Sequence, residues 1–464
     1  MTAQPDAARS SEGRFTLSSV DLIQQSAPRS PQAHWQYLGD HGQLLVVNGT
    51  RIYEVSLPVL EQFEAASARG DEAVHSLLQQ YGLFAPDLIG DEPIDEPPLR
   101  AISLAIAQQC NLGCSYCYAG QGEFGGTAKR MSVDTARRAV QLLLSEAPAG
   151  SKVNIAFMGG EPLANRPAIY EVTDFAAHLG QQRGVQIGFS ITTNGTLLRE
   201  ADAAFFEDYE FAVTVSLDGL REVHDRQRPF KKGGGSFDSI MSKIQPLLAR
   251  QRRMQVSVRC TVMPGQYDLL GPLDYFLRQG FHSVGFSPVL HSSNGQGEFS
   301  EPEFAGLLDA MVQCGLEWEG RLVRGQRCGF ANLMNALREI HRGTHRPYPC
   351  GAGAGYLGVS AEGELAACHR FVGDEVGKMG DVSAGVDRLR QSAWLRARHV
   401  HTQTPCSRCW ARYMCGGGCH HEVMARGRTA CDYIRGWLLY CLQAYDRVLT
   451  LKPEWFGVAE RPPG

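Results

Sequence analysis

Three cysteines stand in Ala107-Gln-Gln-Cys110-Asn-Leu-Gly-Cys114-Ser-Tyr-Cys117-Tyr118, directly after an apolar run that reads as a β-strand. Thiolates at this CxxxCxxC spacing can hold three irons of a cuboidal [4Fe–4S] cluster, and such a cluster has four. No fourth cysteine lies nearby, so one iron would be left for a ligand that is not protein. On spacing alone a zinc knuckle or a chance cluster is the alternative.

The rest of the composition narrows the choice. The chain has 14 cysteines in 464 residues, none before Cys110 and seven between Cys350 and Cys431. The start MTAQPDAARSSEGR has no apolar stretch after it and no run of 18 apolar residues occurs, so neither export nor a membrane span is expected. Cysteines so unevenly spread in a chain without a secretion signal suit metal or cluster binding in a reducing cytoplasm better than disulfides. A hydrophobic content of 43% supports real cores, and a net charge of −4 argues against a general nucleic-acid or anionic-membrane binder.

Three regions follow from the patterning, at 1–95, 96–320 and 321–464. Residues 1–15 are polar and expected to be disordered. Asn48-Gly49 between two apolar runs predicts a tight β-hairpin, with helices near 57–69 and 73–82, a small winged-helix-like module. The acidic, proline-rich stretch Gly90–Pro98 reads as a linker. From residue 99, six β-rich runs (101–107, 153–158, 186–192, 211–217, 255–262 and 282–289) alternate with amphipathic stretches at 132–146, 167–182, 197–207, 236–251 and 267–278. Ser132 and Ser236 are candidate N-caps. Apolar strands separated by helices mean βαβ units, a parallel sheet and an α/β fold. Six units make a partial (β/α)6 TIM-like barrel whose site lies at the C-terminal ends of the strands, where Cys110–Cys117 fall. Beyond residue 320 the rhythm fades, leaving helices near 329–342 and 433–449.

Further motifs end the later strands. Gly159-Gly160-Glu161-Pro162 follows the second; its glycines allow close backbone approach, and its carboxylate can accept hydrogen bonds from an ammonium group. Thr192-Thr193-Asn194-Gly195 and Ser216-Leu217-Asp218-Gly219 follow the third and fourth. His224-Asp225-x-x-Arg228 reads as a structural salt-bridge cluster. The tail carries Cys350-Gly-Ala-Gly, Gly363-x4-Cys368-His369, Cys406-x-x-Cys409, Cys415-x-x-x-Cys419 and Cys431. Cys260, Cys314 and Cys441 sit on apolar faces as ordinary buried cysteines.

Together these motifs resemble radical S-adenosylmethionine (SAM) enzymes over residues 99–450. The tail resembles the SPASM pattern of peptide and protein maturases. The resemblance implies a cluster on Cys110, Cys114 and Cys117 that chelates SAM at its open iron and splits it into methionine and a 5′-deoxyadenosyl radical. It implies SAM contacts at Gly160, Glu161, Asn194, Ser216 and Arg259, the last for the SAM carboxylate. It further implies two auxiliary [4Fe–4S] clusters, three clusters in all, one on Cys406, Cys409, Cys415 and Cys431 and the other on Cys350, Cys368 and Cys419. Eight thiolates are needed and seven are supplied, so either Cys328 completes the set or one auxiliary iron is open. Cys441 is a minor rival to Cys431. Asp218 and Glu161 are the candidate catalytic residues, with Asp225, His369 and Asp432 as further proton-transfer candidates.

By the same resemblance the first region recognises a peptide. The expected substrate is a peptide or small protein rich in Cys and Asp or Glu, with an external flavodoxin- or ferredoxin-type electron donor. The tail is most similar to thioether-forming maturases of the type that act on the small subunit of quinohemoprotein amine dehydrogenase. Formylglycine formation of the sulfatase-maturing kind, a carbon–carbon crosslink and a non-catalytic zinc adaptor are the alternatives.

Overall fold

A computed structural model of the chain describes residues 18–84 and 87–457. The polar segment 1–15 lies outside the described residues. After α1 (Ser19–Gln25) comes a three-stranded antiparallel sheet, β1 (Ala33–Leu38), β2 (His41–Val46) and β3 (Arg51–Val55), in the order β1-β2-β3. The expected hairpin is β2–β3, turned at Asn48-Gly49, with Gly49 at φ 82°. Helices α2 (Leu57–Arg69) and α3 (Asp71–Gln80) cover one face, and Trp35, Leu44, Leu60, Phe63 and Leu78 form a separate apolar cluster.

The expected βα alternation then appears: β4 (Ala101–Gln108), β5 (Lys129–Arg130), α4 (Val133–Ser145), β6 (Lys152–Gly159), α5 (Arg166–Arg183), β7 (Gln186–Thr193), α6 (Glu200–Asp208), β8 (Ala212–Ser216), α7 (Arg221–Gln227), α8 (Phe237–Arg250), β9 (Gln255–Val262), α9 (Leu270–Arg278) and β10 (Ser283–Pro288). Ser132 caps α4, its hydroxyl accepting from the Thr135 N–H at 3.0 Å. Ser236 precedes α8 but makes no capping bond; its hydroxyl donates to the Arg228 carbonyl at 2.6 Å instead.

Six parallel strands line up as β10-β9-β8-β7-β6-β4. On β9, Val256, Val258, Cys260 and Val262 are buried against helices, while Ser257, Arg259 and Thr261 lie on the other face. Thr214 and Ser216 of β8 repeat the pattern beside buried Val213 and Val215. A strand alternates faces every residue, so these polar positions mark the inside of an open barrel.

The sheet does not stop at β4. After α10 (Glu303–Val323) and α11 (Ala331–His341), strand β11 (Tyr356–Val359) adds in parallel to β4, with Tyr356 opposite Ala101 and Val359 opposite Leu104. Antiparallel strands β12 (Glu364–Ala366), β13 (Lys378–Asp381) and β14 (Gly385–Val386) continue it to 11 strands. Helices α12 (Arg388–Arg398), α13 (Arg412–Cys415), α14 (His420–Arg426) and α15 (Cys431–Leu451) close the fold.

The N-terminal module rests on this C-terminal region. The Trp410 indole N–H donates to the Ser26 carbonyl at 2.8 Å, and Gln36 accepts from Gln443 at 2.9 Å. His34 stacks on Trp410 with ring centroids 4.2 Å apart, fully buried, both ring nitrogens without hydrogen-bond partners. Burial, aided by the charge of Arg29, lowers its pKa from 6.5 to about 3. His34 is therefore neutral when folded but protonates below about pH 6.5 when unfolded, so its stabilising effect is complete above pH 6.5 and is lost as pH falls toward 3. Unfolding free energy should decline from pH 7 to pH 5, and His34→Phe should reduce that slope by up to about 1.4 kcal/mol per pH unit, read from urea titrations at each pH.

Candidate active site

The cysteine loop is held against the barrel mouth from several sides. A Cβ on Gly160 would lie 2.4 Å from the Gln109 carbonyl oxygen and 2.8 Å from the Gly122 Cα, and one on Gly159 would lie 2.3 Å from the Ala107 oxygen. The paired glycines thus allow the end of β6 to touch the loop carrying Cys110. Ser293 donates to the Cys117 carbonyl at 2.8 Å and Asn294 to the Ser115 carbonyl at 3.0 Å, pinning the loop to the segment after β10.

Cys110, Cys114 and Cys117 line one chamber of about 1470 Å³, together with Gly160, Asn194, Ser216, Arg259, His291, His369 and Arg370. No three His, Cys, Asp or Glu side chains among the described residues converge as they would on a single ion. The thiols instead surround space, the arrangement that a multi-iron group needs. The Leu112 N–H and the Asn194 amide point at the Cys110 sulfur at 3.4 and 3.6 Å, and Arg228 at the Cys114 sulfur at 3.8 Å. Burial pushes the Cys114 thiol up to about 12, so it ionises only on binding a metal. N–H donors aimed at buried sulfurs suit a negatively charged iron–sulfur cluster.

Arg259 lies deep in the protein, yet its side chain is open to the chamber. It makes no ion pair or side-chain hydrogen bond among the described residues, and burial and the charge of Arg370 lower its pKa. An interior cation without a counter-ion suits an anionic ligand group. Ser216 lines the chamber, and its hydroxyl has no hydrogen-bond partner among the described residues. Asn194 is engaged: its amide donates to Asn111 at 2.9 Å and its oxygen accepts from the Thr196 N–H and hydroxyl at 2.9 and 2.6 Å.

Two expected catalytic residues do not face the chamber. Glu161 is fully buried and accepts from the Leu163 N–H (3.0 Å), the Thr193 hydroxyl (2.6 Å) and the Asn194 N–H (2.7 Å), tying β6 to β7. Asp218 accepts from Arg228 Nε at 2.8 Å, from the Thr261 N–H at 3.0 Å and from the Tyr116 hydroxyl. Sequence patterning could not show that these carboxylates spend their acceptors on the scaffold. Arg228 therefore pairs with Asp218 and not with Asp225, whose carboxylate caps the Phe237 N–H at 2.8 Å. Asp432 pairs with Arg435.

The tail cysteines fall into two groups. Cys406, Cys409, Cys415 and Cys431 border one cavity of about 680 Å³ and are electrostatic neighbours. Cys419 also touches that cavity, but its thiol neighbours are Cys350 and Cys368. Cys350 and Cys419 are exposed residues, and Cys419 opens onto that cavity. Buried N–H groups of Arg398, Arg412 and Arg435 have no hydrogen-bond partner among the described residues, and each belongs to an arginine close to these thiols. Such orphaned donors fit sulfur-rich anions. Cys328 joins neither group; it lies beside Cys314 and Arg321. Cys441 is fully buried in α15 beside Glu319.

A parallel barrel open at its strand ends, with three thiols at the first strand and polar side chains lining the lumen, is the architecture of a radical SAM enzyme. Residues 104–268 match the Radical SAM superfamily. The chain is 25% identical to the serine-type anaerobic sulfatase-maturating enzyme of Klebsiella aerogenes over 377 residues, 78% of this chain and 91% of that protein. It is 23% identical to a cysteine-type anaerobic sulfatase-maturating enzyme of Clostridium perfringens over 376 residues, 76% of this chain and 98% of that protein. In fold it is similar to native anSMEcpe with bound AdoMet, at TM-score 0.63 and 18% identity, over 77% of this chain and all of that one. It is also similar to Streptococcus suis SuiB bound to precursor peptide SuiA, at TM-score 0.52 and 13% identity, over 86% of this chain and 96% of that one. The chain is an enzyme with a radical SAM domain and an α/β fold. No described helix is long and apolar enough to cross a membrane.

Asp218→Ala would leave Arg228 buried without its partner, at a cost of about 3–5 kcal/mol. Lower stability in denaturant titrations should accompany loss of iron from the first cysteine set, read by iron content after anaerobic reconstitution.

Proposed function

We propose that this enzyme oxidises a side chain of a peptide or small-protein substrate in the 1470 Å³ chamber. One observation carries the reading: the chamber joins the three thiols, the lone Arg259 and, at its far wall, His369 and Arg370 beside Cys368. When bound at Cys110, Cys114 and Cys117, a [4Fe–4S] cluster with SAM supplies a radical able to take hydrogen from an unactivated carbon. The chain's own residues hold and enclose. Arg259 pairs with the SAM carboxylate, Ser216 offers a hydroxyl to the ribose and the Gly160 backbone allows close approach of the amino end. Asn194 holds Asn111 and Cys110 in place. Glu161 and Asp218 are positioning residues, the first fixing the turn after β7 and the second fixing Arg228 against Cys114. Cys406, Cys409, Cys415 and Cys431 hold one auxiliary cluster. Cys350, Cys368 and Cys419 hold the other, and the remoteness of Cys328 supports one iron without a protein thiolate.

The sequence likeness to sulfatase-maturating enzymes favours oxidation of a serine or cysteine to formylglycine. A second reading, sulfur-to-carbon thioether formation in a Cys- and Asp/Glu-rich peptide, is favoured by the N-terminal module. The anSMEcpe chain is matched in full by 77% of this chain, so this chain has a part without counterpart there, whereas the peptide-bound SuiB fold spans 86%. Strand β1 is buried, but β3 is the more exposed edge and has main-chain groups to pair with an added peptide strand. A flavodoxin- or ferredoxin-type protein in the cytoplasm is the proposed electron source.

Anaerobic protein should carry roughly 12 irons and absorb near 400 nm, and Cys110→Ala with Cys114→Ala and Cys117→Ala should remove about a third of the iron. A colourless zinc protein would overturn the proposal. With SAM, reductant and a cysteine-containing peptide, formylglycine would appear as a hydrazide-reactive aldehyde. A thioether would appear as loss of two hydrogens and of one alkylatable thiol with no aldehyde. Arg259→Ala should raise the SAM concentration for half-maximal cleavage by at least about tenfold, the scale of a lost charge-assisted contact.

A further inference from the structure

Beyond the cysteines and the SAM contacts, the chamber wall holds one histidine built like a proton acceptor. His291 follows β10, the last strand of the barrel, and its side chain is 31% exposed. That exposure is toward the chamber that contains the three thiols. Its Nδ1 lies 3.2 Å from the Glu298 carboxylate. With Nδ1–H donating there, Nε2 is left as a lone-pair acceptor with no partner among the described residues. Glu298 is itself fixed, accepting from the Ser292 N–H at 2.8 Å and pairing with Arg426 Nε at 2.9 Å. Arg426 also donates to the carbonyls of Leu290 and, at 3.1 Å, Phe299, so it clamps both ends of the loop that carries the pair. Leu290, the neighbour of His291, borders the chamber on one side and the cavity of Cys406, Cys409, Cys415 and Cys431 on the other. A carboxylate-oriented imidazole therefore stands between the two places where the reaction would begin and end.

We propose that His291 Nε2 accepts the substrate proton released after hydrogen abstraction, and that Glu298 is its positioning residue. The proposal rests on reading this chamber as the reaction chamber, and it holds for either product chemistry. Forming an aldehyde from a CH₂–OH group, a thioaldehyde from a CH₂–SH group (which water then hydrolyses to the aldehyde with release of H₂S), or a sulfur–carbon bond from S–H and C–H, removes two hydrogens. The first leaves as an atom to the radical. The second leaves as a proton from oxygen or sulfur, taken by His291, and an electron, taken by an oxidised iron–sulfur centre on the C-terminal cysteines. The charged and titratable groups around His291 are Glu298 on its own loop, His421, Glu422 and Arg426 on α14, Arg370 after Cys368, and Arg259 on β9.

The test uses anaerobic holoenzyme, with His291→Gln and Glu298→Gln as variants. Site-resolved diethyl pyrocarbonate labelling of His291 is followed with and without saturating SAM. In parallel, 5′-deoxyadenosine and modified peptide are quantified with synthetic 18-residue peptides bearing serine, cysteine, or cysteine and aspartate. His291 should label, and SAM should slow labelling at least about fivefold. His291→Gln should lower the product made per 5′-deoxyadenosine at least about 100-fold, the scale of general-base loss, and Glu298→Gln should lower the same ratio while SAM still protects His291. An unchanged ratio of product to 5′-deoxyadenosine in His291→Gln or in Glu298→Gln overturns the proposal. If no peptide is modified, labelling of His291 that is indifferent to SAM overturns it. Absence of 5′-deoxyadenosine from wild-type holoenzyme overturns the chamber reading itself.

Discussion

Everything after residue 350 takes its orientation from one piece of backbone pairing, Tyr356–Val359 laid parallel against Ala101–Leu104. Strand β4 ends in the CxxxCxxC loop and β11 leads through β12 to Cys368, so this ladder sets the two cysteine regions on one wall. Gly358 makes the approach possible: a Cβ there would lie 2.7 Å from the Cys368 carbonyl carbon. A shift of one residue in the ladder would turn every side chain of β11 to the opposite face. The chamber exists because the sheet is continued by the tail and not closed on itself.

Electrostatics complete what the backbone begins. The protein places arginines, Arg228 at the first thiols and Arg370, Arg398, Arg412 and Arg435 at the others, around sulfurs whose burial opposes ionisation. Buried cations and buried thiols are each costly alone. An anionic cluster would satisfy both, and orphaned N–H groups gather there. Carboxylates are mostly kept out: Glu161 and Asp218 are consumed by the scaffold, and Glu422 is held 3.2 Å from Arg370.

Much of the barrel was legible because a strand buried among helices must be apolar while its lumen face need not be. Thr-x-Ser on β8 and Arg-x-Thr on β9 mark the lumen as clearly as the valines mark the outside, and the six strand runs matched within two residues. Strand β1 was not read from patterning, since Ala33–Gln36 are all buried and show no alternation. Strands β11 to β14 are four residues or shorter and carry no period of their own. Helix α10 was not legible because Gly306, Gly315 and Gly320 lower its helix propensity, and its packing on α15 holds it helical.

Spacing determined that Cys110, Cys114 and Cys117 could act together, since ligand spacing is a local property of the chain, whereas the grouping of the tail cysteines rested on resemblance. Local order also determined that CxxxCxxC and Gly159–Pro162 follow neighbouring strands. Only the tertiary structure decided which way each group points. It turned Asp218 and Glu161 into struts, set Cys328 apart beside Cys314, left Arg259 alone in the chamber and brought His291 to its wall. The physical reason is the same each time: a side chain's chemistry depends on which partners satisfy it, and those partners come from elements tens to hundreds of residues away.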